Sequence, residues 1–198
     1  MTGAGVGLVS LDGVNAAALK EAARGITASH RRLSPGVSLW GASGIFDELA
    51  VAESDAGVPS ARTLVLLYAA DLSFRLRWEI QPALDEGRLV VAVPYVTTAI
   101  AFGQAAGLEA PWLSALFEFA PTPAEVHAIE TAPAHHVTDR KGFVEFAWQR
   151  LEARAGEVTR LEFMDRTRRH LRAATRRASG RDTNRPPRLP RRSSRPLR

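Results

Sequence analysis

A short apolar run, a tight turn and a helix-forming run follow one another in the stretch LVSLDGVNAAALKEA, residues 8–22. The same order of elements forms the phosphate-binding loop G-x-x-x-x-G-K-[ST], whose glycines let backbone N–H groups wrap the phosphates. In that motif the lysine reaches the β- and γ-phosphates, and the Ser/Thr hydroxyl binds Mg²⁺. In the chain the apolar run ends at Asp12 and Gly13, and the positions that should carry the next glycine, the lysine and the Ser/Thr hold Asn15, Ala16, and Ala17 with Ala18. It therefore keeps the order of elements and lacks the groups that do the chemistry.

The length and composition are those of one folded domain. The 198 residues are 45% apolar and 24% charged, which is ordinary for a globular protein. No apolar run approaches the roughly 18 residues that a bilayer-spanning helix needs. The N-terminus MTGAGVGLVSLDG lacks the basic region and cleavage site of a signal peptide, so we expect a cytoplasmic protein. The absence of cysteine excludes disulfides, thiolate metal sites and cysteine nucleophiles.

The net charge of +5 is unevenly distributed along the chain. Residues 166–198 hold thirteen arginines and one acid, Asp182, so this segment carries +12 and the preceding 165 residues carry −7. From about Ala178 onward, Arg, Pro and Ser dominate, a composition that buries too little apolar surface to offset the entropy of ordering. We predict a domain over residues 1–165 and a basic tail over 166–198, helical at first and then disordered. The tail could bind a polyanion or an acidic protein, or serve only solubility.

Strand and helix patterns alternate along the domain. Predicted strands cover residues 6–11, 88–96 and 112–119, and predicted helices cover 14–24, 46–52, 61–84, 97–106, 123–130 and 143–155. The stretch 26–43, which contains most of GVSLWGASG, is predicted as a loop bordering a site. Valine-rich runs such as RLVVAVPYV are typical of strands covered on both faces. The alternation predicts an α/β fold with three αβα layers and a mostly parallel central sheet.

The order of these pieces resembles the thymidylate kinases, a branch of the P-loop nucleoside monophosphate kinases. Residues 62–108, RTLVLLYAADLSFRLRWEIQPALDEGRLVVAVPYVTTAIAFGQAAGL, resemble a family region with the segments A-A-D-R, R-P-A-L, D-R-Y and S-x-x-A-Y-Q. LFEFAPTPAEVHAIE is similar to the strand and P-P-E-x-A segment that follow, and TDRKGFVEFAWQRLEA resembles the lid arginine and its helix. The resemblance covers about residues 6–160. It implies the P-loop NTPase fold, ATP and Mg²⁺ as cofactors, phosphoryl transfer to dTMP, and a homodimer formed by helix packing.

Several charged positions of the family are apolar in this chain. The Asp-Arg pair falls on Val93 and Pro94, the arginine for the substrate phosphate on Leu72, and the glutamine for the base on Gly103. Phosphoryl transfer depends on positioned cations and Mg²⁺, and losing one electrostatic stabiliser already costs about 10²–10³ in rate. We therefore predict a catalytically inactive protein that acts by binding. The alternative is a divergent nucleotide kinase that transfers phosphate from ATP to dTMP or a related monophosphate.

The resemblance also suggests site residues. Tyr95 and Phe102 match the lining of the nucleoside pocket, although aromatic residues after a buried strand are also typical of a core. Arg75 and its neighbour Arg77 could replace the lost phosphate contact, or be exposed helix charges. Arg140 matches the lid arginine, and it could equally be a surface charge.

Four further features have two interpretations each. Asp12 is a cation contact or part of the N-cap of the next helix. Lys20, one turn into that helix, reaches back to the turn or is solvated. Trp40 stacks on a base or packs against Phe46. His135–His136 is a polar loop pair, for which we predict no metal site.

Overall fold

A four-stranded parallel sheet with the strand order β2-β3-β1-β4 forms the centre of the protein in a computed structural model. The structure describes residues 7–131, 142–151 and 158–181. The strands are β1 (Leu8–Gly13), β2 (Gly36–Leu39), β3 (Val90–Val93) and β4 (Glu125–Ile129). The helices are α1 (Ala16–Ser29), α2 (Ile45–Ala56), α3 (Ala61–Arg75), α4 (Gln81–Asp85), α5 (Val96–Ala105), α6 (Ala110–Leu116), α7 (Phe143–Leu151) and α8 (Arg160–Arg181).

Side chains alternate between the two faces of the sheet and form two cores. On one face, Val9 and Leu11 of β1 pack with Val91 of β3 against Leu19 of α1. On the other face, the strands pack against a larger cluster from α3, α5, α7 and α8. The predicted three-layer αβα fold with a parallel sheet is confirmed. No helix in the described ranges combines the length and apolarity needed to cross a membrane.

Two predicted elements are wrong, at the segments that form α6 and β4. Residues 112–119 were predicted as a strand, but Ala110–Leu116 is a helix. Leu113 and Phe117 face the core four residues apart, which is a helical spacing that a short apolar run does not reveal. Residues 123–130 were predicted as a helix, but Glu125–Ile129 pairs in parallel with β1 from Val9 to Gly13. Pairing with the edge of β1 overrides the local preference for a helix start at Pro123.

Strand β2 and the long helical region differ from prediction in a smaller way. The predicted loop over residues 26–43 contains β2, which pairs with β3 from Gly36 to Leu39. Residues 61–84 are helical as predicted, but α3 passes into a π-helical segment at Leu76–Ile80 before α4. Pro82 lies in the first turn of α4, directly after the π-helical segment.

Helix α8 crosses the predicted boundary at residue 166. Thr167 and Leu171 are buried with Phe163 and Met164 on the same side of the helix. The helix continues to Arg181, past the point near Ala178 where disorder was predicted to begin. Residues 182–198, which hold the rest of the predicted tail, lie outside the described residues.

Candidate functional site

The turn between β1 and α1 consists of only Val14 and Asn15. A phosphate-binding loop has four residues between its two glycines before the lysine begins the helix, and this length lets the backbone curl around a phosphate. Here Asn15 is the N-cap of α1, and its side-chain oxygen accepts the N–H of Ala18 at 3.0 Å. The first turn of α1 is thus capped by the protein itself, and the connection is too short for a phosphate cradle.

Close backbone packing surrounds this turn on both sides. A Cβ added to Gly13 would lie 2.9 Å from the carbonyl oxygen of Ile129, so only glycine fits beside β4. A Cβ added to Gly142 would lie 3.2 Å from the Cβ of Ala16 and 3.6 Å from its nitrogen. The backbone that precedes α7 therefore packs directly on the first residue of α1. This is the place where the resemblance puts the phosphate-binding lysine.

Asp12 caps a different helix from the one predicted. Its Oδ1 accepts the backbone N–H groups of Tyr95 and Thr98, at 3.0 and 2.9 Å, and the Thr98 hydroxyl at 2.8 Å. Tyr95 is the N-cap residue of α5, so the carboxylate sits at the N-terminus of α5. The prediction that Asp12 belongs to the N-cap of α1 is wrong, because Asn15 fills that role. Complete burial raises the pKa of Asp12 against the lowering effect of its hydrogen bonds.

Arg75 is fully buried, so its interpretation as an exposed helix charge is wrong. Its Nε donates to the Ser38 hydroxyl at 2.9 Å and an Nη donates to the Ser38 carbonyl at 2.9 Å. Both Nη atoms also lie 3.2 Å from the carbonyl oxygen of Pro94. Because these internal acceptors hold the guanidinium, it ties α3 to the ends of β2 and β3.

Asp71 supplies the counter-charge to Arg75 and fixes the loop after β2. Its carboxylate is 3.9 Å from the guanidinium and is likewise fully buried. One oxygen accepts the N–H of Gly41, and the other accepts the N–H and the hydroxyl of Ser43. This role of Asp71 could not be predicted from its local pattern, because Asp71 lies among apolar residues at helical spacing. With Arg75 it forms a closed ion-pair network beneath the loop.

The aromatic candidates lie in the protein interior. Tyr95 is 2% exposed and Phe102 is 0% exposed. The Tyr95 hydroxyl donates to the carbonyl of Pro121 at 2.8 Å, and Phe102 packs edge-on against Phe143, with 5.3 Å between the ring centroids. Neither ring offers a face to solvent on which a base could stack.

Trp40 packs edge-on against Phe46, with 5.1 Å between the ring centroids, which confirms the packing interpretation. It also contacts Phe143 and Phe146 in the same way. Its ring therefore belongs to an aromatic cluster that joins the loop after β2 to α2 and α7.

The other basic residues considered as site candidates do not form a cluster in the described part of the chain. Lys20 is half-buried on α1 and has no hydrogen-bond or ion-pair partner within the described ranges. Arg77 is exposed, and its guanidinium lies 5.5 Å from the ring centroid of Trp78. Arg140 and the pair His135–His136 lie outside the described residues. Within the described part of the chain, no group of His, Cys, Asp or Glu side chains is placed to hold a metal ion.

Gly103, which falls where the family has its base-recognising glutamine, lies against a neighbouring helix that leaves no room for a side chain. A Cβ added to Gly103 would lie 2.6 Å from a methyl group of Leu113 and 3.0 Å from the other. Any side chain at this position would therefore collide with Leu113, which packs from α6 onto α5. A glutamine could enter only if Leu113 moved.

Known proteins were compared by sequence and by structure. No family model matches the chain. A 58-residue segment is 38% identical to a probable thymidylate kinase of Pyrococcus abyssi (strain GE5 / Orsay) and 40% identical to one of Pyrococcus horikoshii. This segment is 29% of the chain and spans only 28% of each of those two proteins. The crystal structure of thymidylate kinase from Ehrlichia chaffeensis superposes with a TM-score of 0.60 over 87% of both chains, at 12% identity.

The chain has the thymidylate kinase fold. The resemblance found in the sequence is therefore confirmed at the level of the fold, while the sequence likeness is limited to part of the chain. On this thymidylate kinase-like fold, the residues at the β1–α1 turn do not fit a bound Mg²⁺–nucleoside triphosphate. Ala16 carries no charge for the β- and γ-phosphates, and Ala17 carries no hydroxyl for the metal.

Proposed function

We propose that this protein is a catalytically inactive relative of the thymidylate kinases that acts by binding. The observation that carries the proposal is the two-residue connection between β1 and α1. It leaves no loop to surround a phosphate, and Asn15 already accepts a hydrogen bond from the first turn of α1. Preorganised donors aimed at the transferred phosphoryl group supply most of the catalysis in this class of reaction. Those donors are missing or already engaged.

The proposal is also supported by the charged side chains near the site, which already form hydrogen bonds within the protein. Asp12 satisfies the N-terminus of α5, which would otherwise attract an anion. Arg75 is the cation nearest in sequence to Leu72, the position of the lost substrate arginine, and it is held by Ser38 and Pro94. A phosphate would have to displace these buried hydrogen bonds, each of which is costly to leave unmade.

A binding role is supported by an exposed apolar stripe on α3. Leu66, Phe74 and Trp78 are 46%, 38% and 65% exposed. Leu66, Ala70 and Phe74 follow at intervals of four residues, so they share one helix face, and Trp78 comes next in the π-helical segment. Tryptophan and phenylalanine are enriched at protein–protein interfaces relative to the rest of the surface. We propose that a second copy of the chain packs on this face and forms a homodimer.

Two further binding roles remain proposals. One is a nucleoside or nucleotide held without chemistry, and the other is a polyanion or acidic protein held by the basic C-terminal segment. The cytoplasmic location is also a proposal, which is consistent with a nucleotide kinase fold.

Turnover is the test of catalytic inactivity. Purified protein is incubated with ATP, Mg²⁺ and dTMP, and the release of ADP is followed. We expect no release above a buffer control, and none from an Ala16→Lys variant, because the loop and the hydroxyl are still missing. ADP release that depends on dTMP and is abolished by Lys20→Met or Arg140→Met would contradict the proposal. That result would establish the divergent kinase instead.

A further inference from the structure

Helix α8 presents a fixed row of arginines to solvent. Its buried side is anchored by Phe163, Met164, Thr167 and Leu171, none of which is more than 4% exposed. Four arginines of α8 are exposed, namely Arg166, Arg169, Arg172 and Arg176. The last three lie opposite the buried side, whereas Arg166 also donates to the carbonyl oxygen of Ala105 at 3.4 Å. We call these four residues the arginine face. Because packing against the body fixes the rotation of α8, the direction of this face is fixed as well.

Acidic side chains near the arginine face are already engaged. Asp165 pairs with Arg168, and Glu130 pairs with Arg172 at 2.9 Å. Glu162 accepts the N–H and hydroxyl of Thr159, and these hydrogen bonds lower its pKa. The positive charge of the face is therefore only partly neutralised.

Arg169 and Arg176 have no ion-pair partner in the described parts of the chain. His170, between the arginines in sequence, has its pKa lowered by partial burial and by the charges of Arg166 and Arg169. It therefore stays neutral near pH 7 and adds no charge to the face.

We infer that the arginine face binds the phosphate backbone of duplex DNA. Arg169 and Arg176 are seven positions apart, so their Cα atoms are about 10 Å apart along the helix. Each strand of a duplex presents a phosphate about every 3.4 Å along the axis, so several phosphates of one strand lie within the span of these two long side chains. The two free guanidinium groups can thus contact two phosphates of one strand at once.

The composition of α8 favours a duplex over a single strand. Sites for single-stranded nucleic acid combine positive charge with aromatic rings on which the bases stack. Phe163 is the only Phe, Tyr or Trp residue in α8, and it is 4% exposed. The arginines of α8 thus lack the aromatic stacking platforms of a single-strand site, and their main partners are backbone phosphates. Binding through this face is therefore independent of DNA sequence.

The chain beyond α8 adds to the same charge. Residues 182–198 contain six further arginines and a single acid, Asp182. The inference rests on the folded arginine face, so part of the binding belongs to the body of the protein and not to the segment after residue 181. It deepens the proposed binding role, and it does not depend on whether the protein transfers phosphate.

The test compares two double variants of the full chain. Arg169→Gln/Arg176→Gln removes the two unpaired charges of the face. Arg31→Gln/Arg32→Gln is the matched control, because it removes two exposed arginines in the segment between α1 and β2. Fluorescence anisotropy with a 30-base-pair duplex is measured from 50 to 200 mM salt, and circular dichroism checks that all proteins are folded.

We expect the slope of log K against log salt to decrease by about 1.8 in the face variant, since each lost phosphate contact lowers it by about 0.9. The control variant should keep the slope of the wild type. The inference would be overturned if log K fell with log salt at the same slope in the two variants. It would also be overturned if the wild type did not bind the duplex at 50 mM salt. Tighter binding of a single strand of the same length, or displacement of the duplex by polyglutamate at equal charge, would also overturn it. ADP release should be the same in every variant. A failure of the DNA-binding inference would therefore leave the proposal of catalytic inactivity untouched, and the reverse also holds.

Discussion

Replacing Arg75 with methionine tests the buried network that closes the candidate site. The substitution keeps a long side chain and removes the guanidinium that donates to Ser38 and Pro94. Pro94 keeps the hydrogen bond from the Tyr68 hydroxyl at 2.8 Å, so the largest cost comes from Asp71. That carboxylate stays buried without the cation at 3.9 Å. Breaking a fully buried ion pair by removing one partner costs about 3–5 kcal/mol.

A loss of this size is easily measured by thermal or urea denaturation. About 3 kcal/mol lowers Tm by roughly 6–12 °C in a protein of this length. Arg75→Lys should recover only part of the loss, because an ammonium cannot reproduce the planar set of donors. Arg77→Met is the matched control on the same helical segment, and it should cost under about 0.5 kcal/mol because Arg77 is exposed. If Arg75→Met were no more destabilising than the control, Arg75 would not be a buried structural cation and would be free to contact a phosphate.

Three further predictions concern pH dependence, assembly and the domain boundary. Burial raises the pKa of Asp12 above its ordinary value of 3.8, so the stability that its proton confers is present at low pH and is lost as pH rises through the native pKa. Asp12→Asn should therefore gain stability relative to the wild type as pH rises above 3.8 in urea denaturation; a relative loss would show that the carboxylate is stabilised as an anion. Trp78→Ser should convert a dimer to a monomer in sedimentation equilibrium, whereas a wild-type monomer at all concentrations would remove the proposed homodimer. Truncation after Arg181 should leave Tm unchanged, while truncation after Asp165 should lower it by several degrees because Leu171 and Thr167 are buried; equal Tm values would place the boundary at residue 166 after all.

Strong local patterns in the sequence were sufficient to predict most of the fold. The valine-rich run before Pro94 and the apolar run before Asp12 form the two central strands, because both faces of a central parallel strand are buried. The edges of the sheet were harder to predict. In β4, Glu125 is exposed, and the strand exists because it pairs with the edge of β1. Such long-range pairing leaves little trace in local composition.

The absence of phosphate-binding groups at the candidate site could be predicted from the sequence. The alanines at 16 to 18 and the leucine at 72 can be read from the sequence alone. The roles of Asp12 and Arg75 could not be predicted in this way, because each side chain forms hydrogen bonds with a segment that is distant in sequence. Asp12 caps a helix that begins 84 residues later, and Arg75 binds a strand that precedes it by 37 residues. Only the parallel sheet, which brings β1, β2 and β3 to a common edge, places these groups together.

The most direct test of the missing phosphate cradle compares the binding of ATP with that of adenosine. The two ligands share the base and the sugar and differ only in the phosphates, so the ratio of their dissociation constants isolates the cradle. Isothermal titration is done at millimolar ligand with Mg²⁺ present, for the wild type and for Lys20→Met. We predict that ATP binds no more tightly than adenosine to either protein. ATP affinity at least tenfold higher than that of adenosine, which is about 1.4 kcal/mol, and lost in Lys20→Met, would contradict the account.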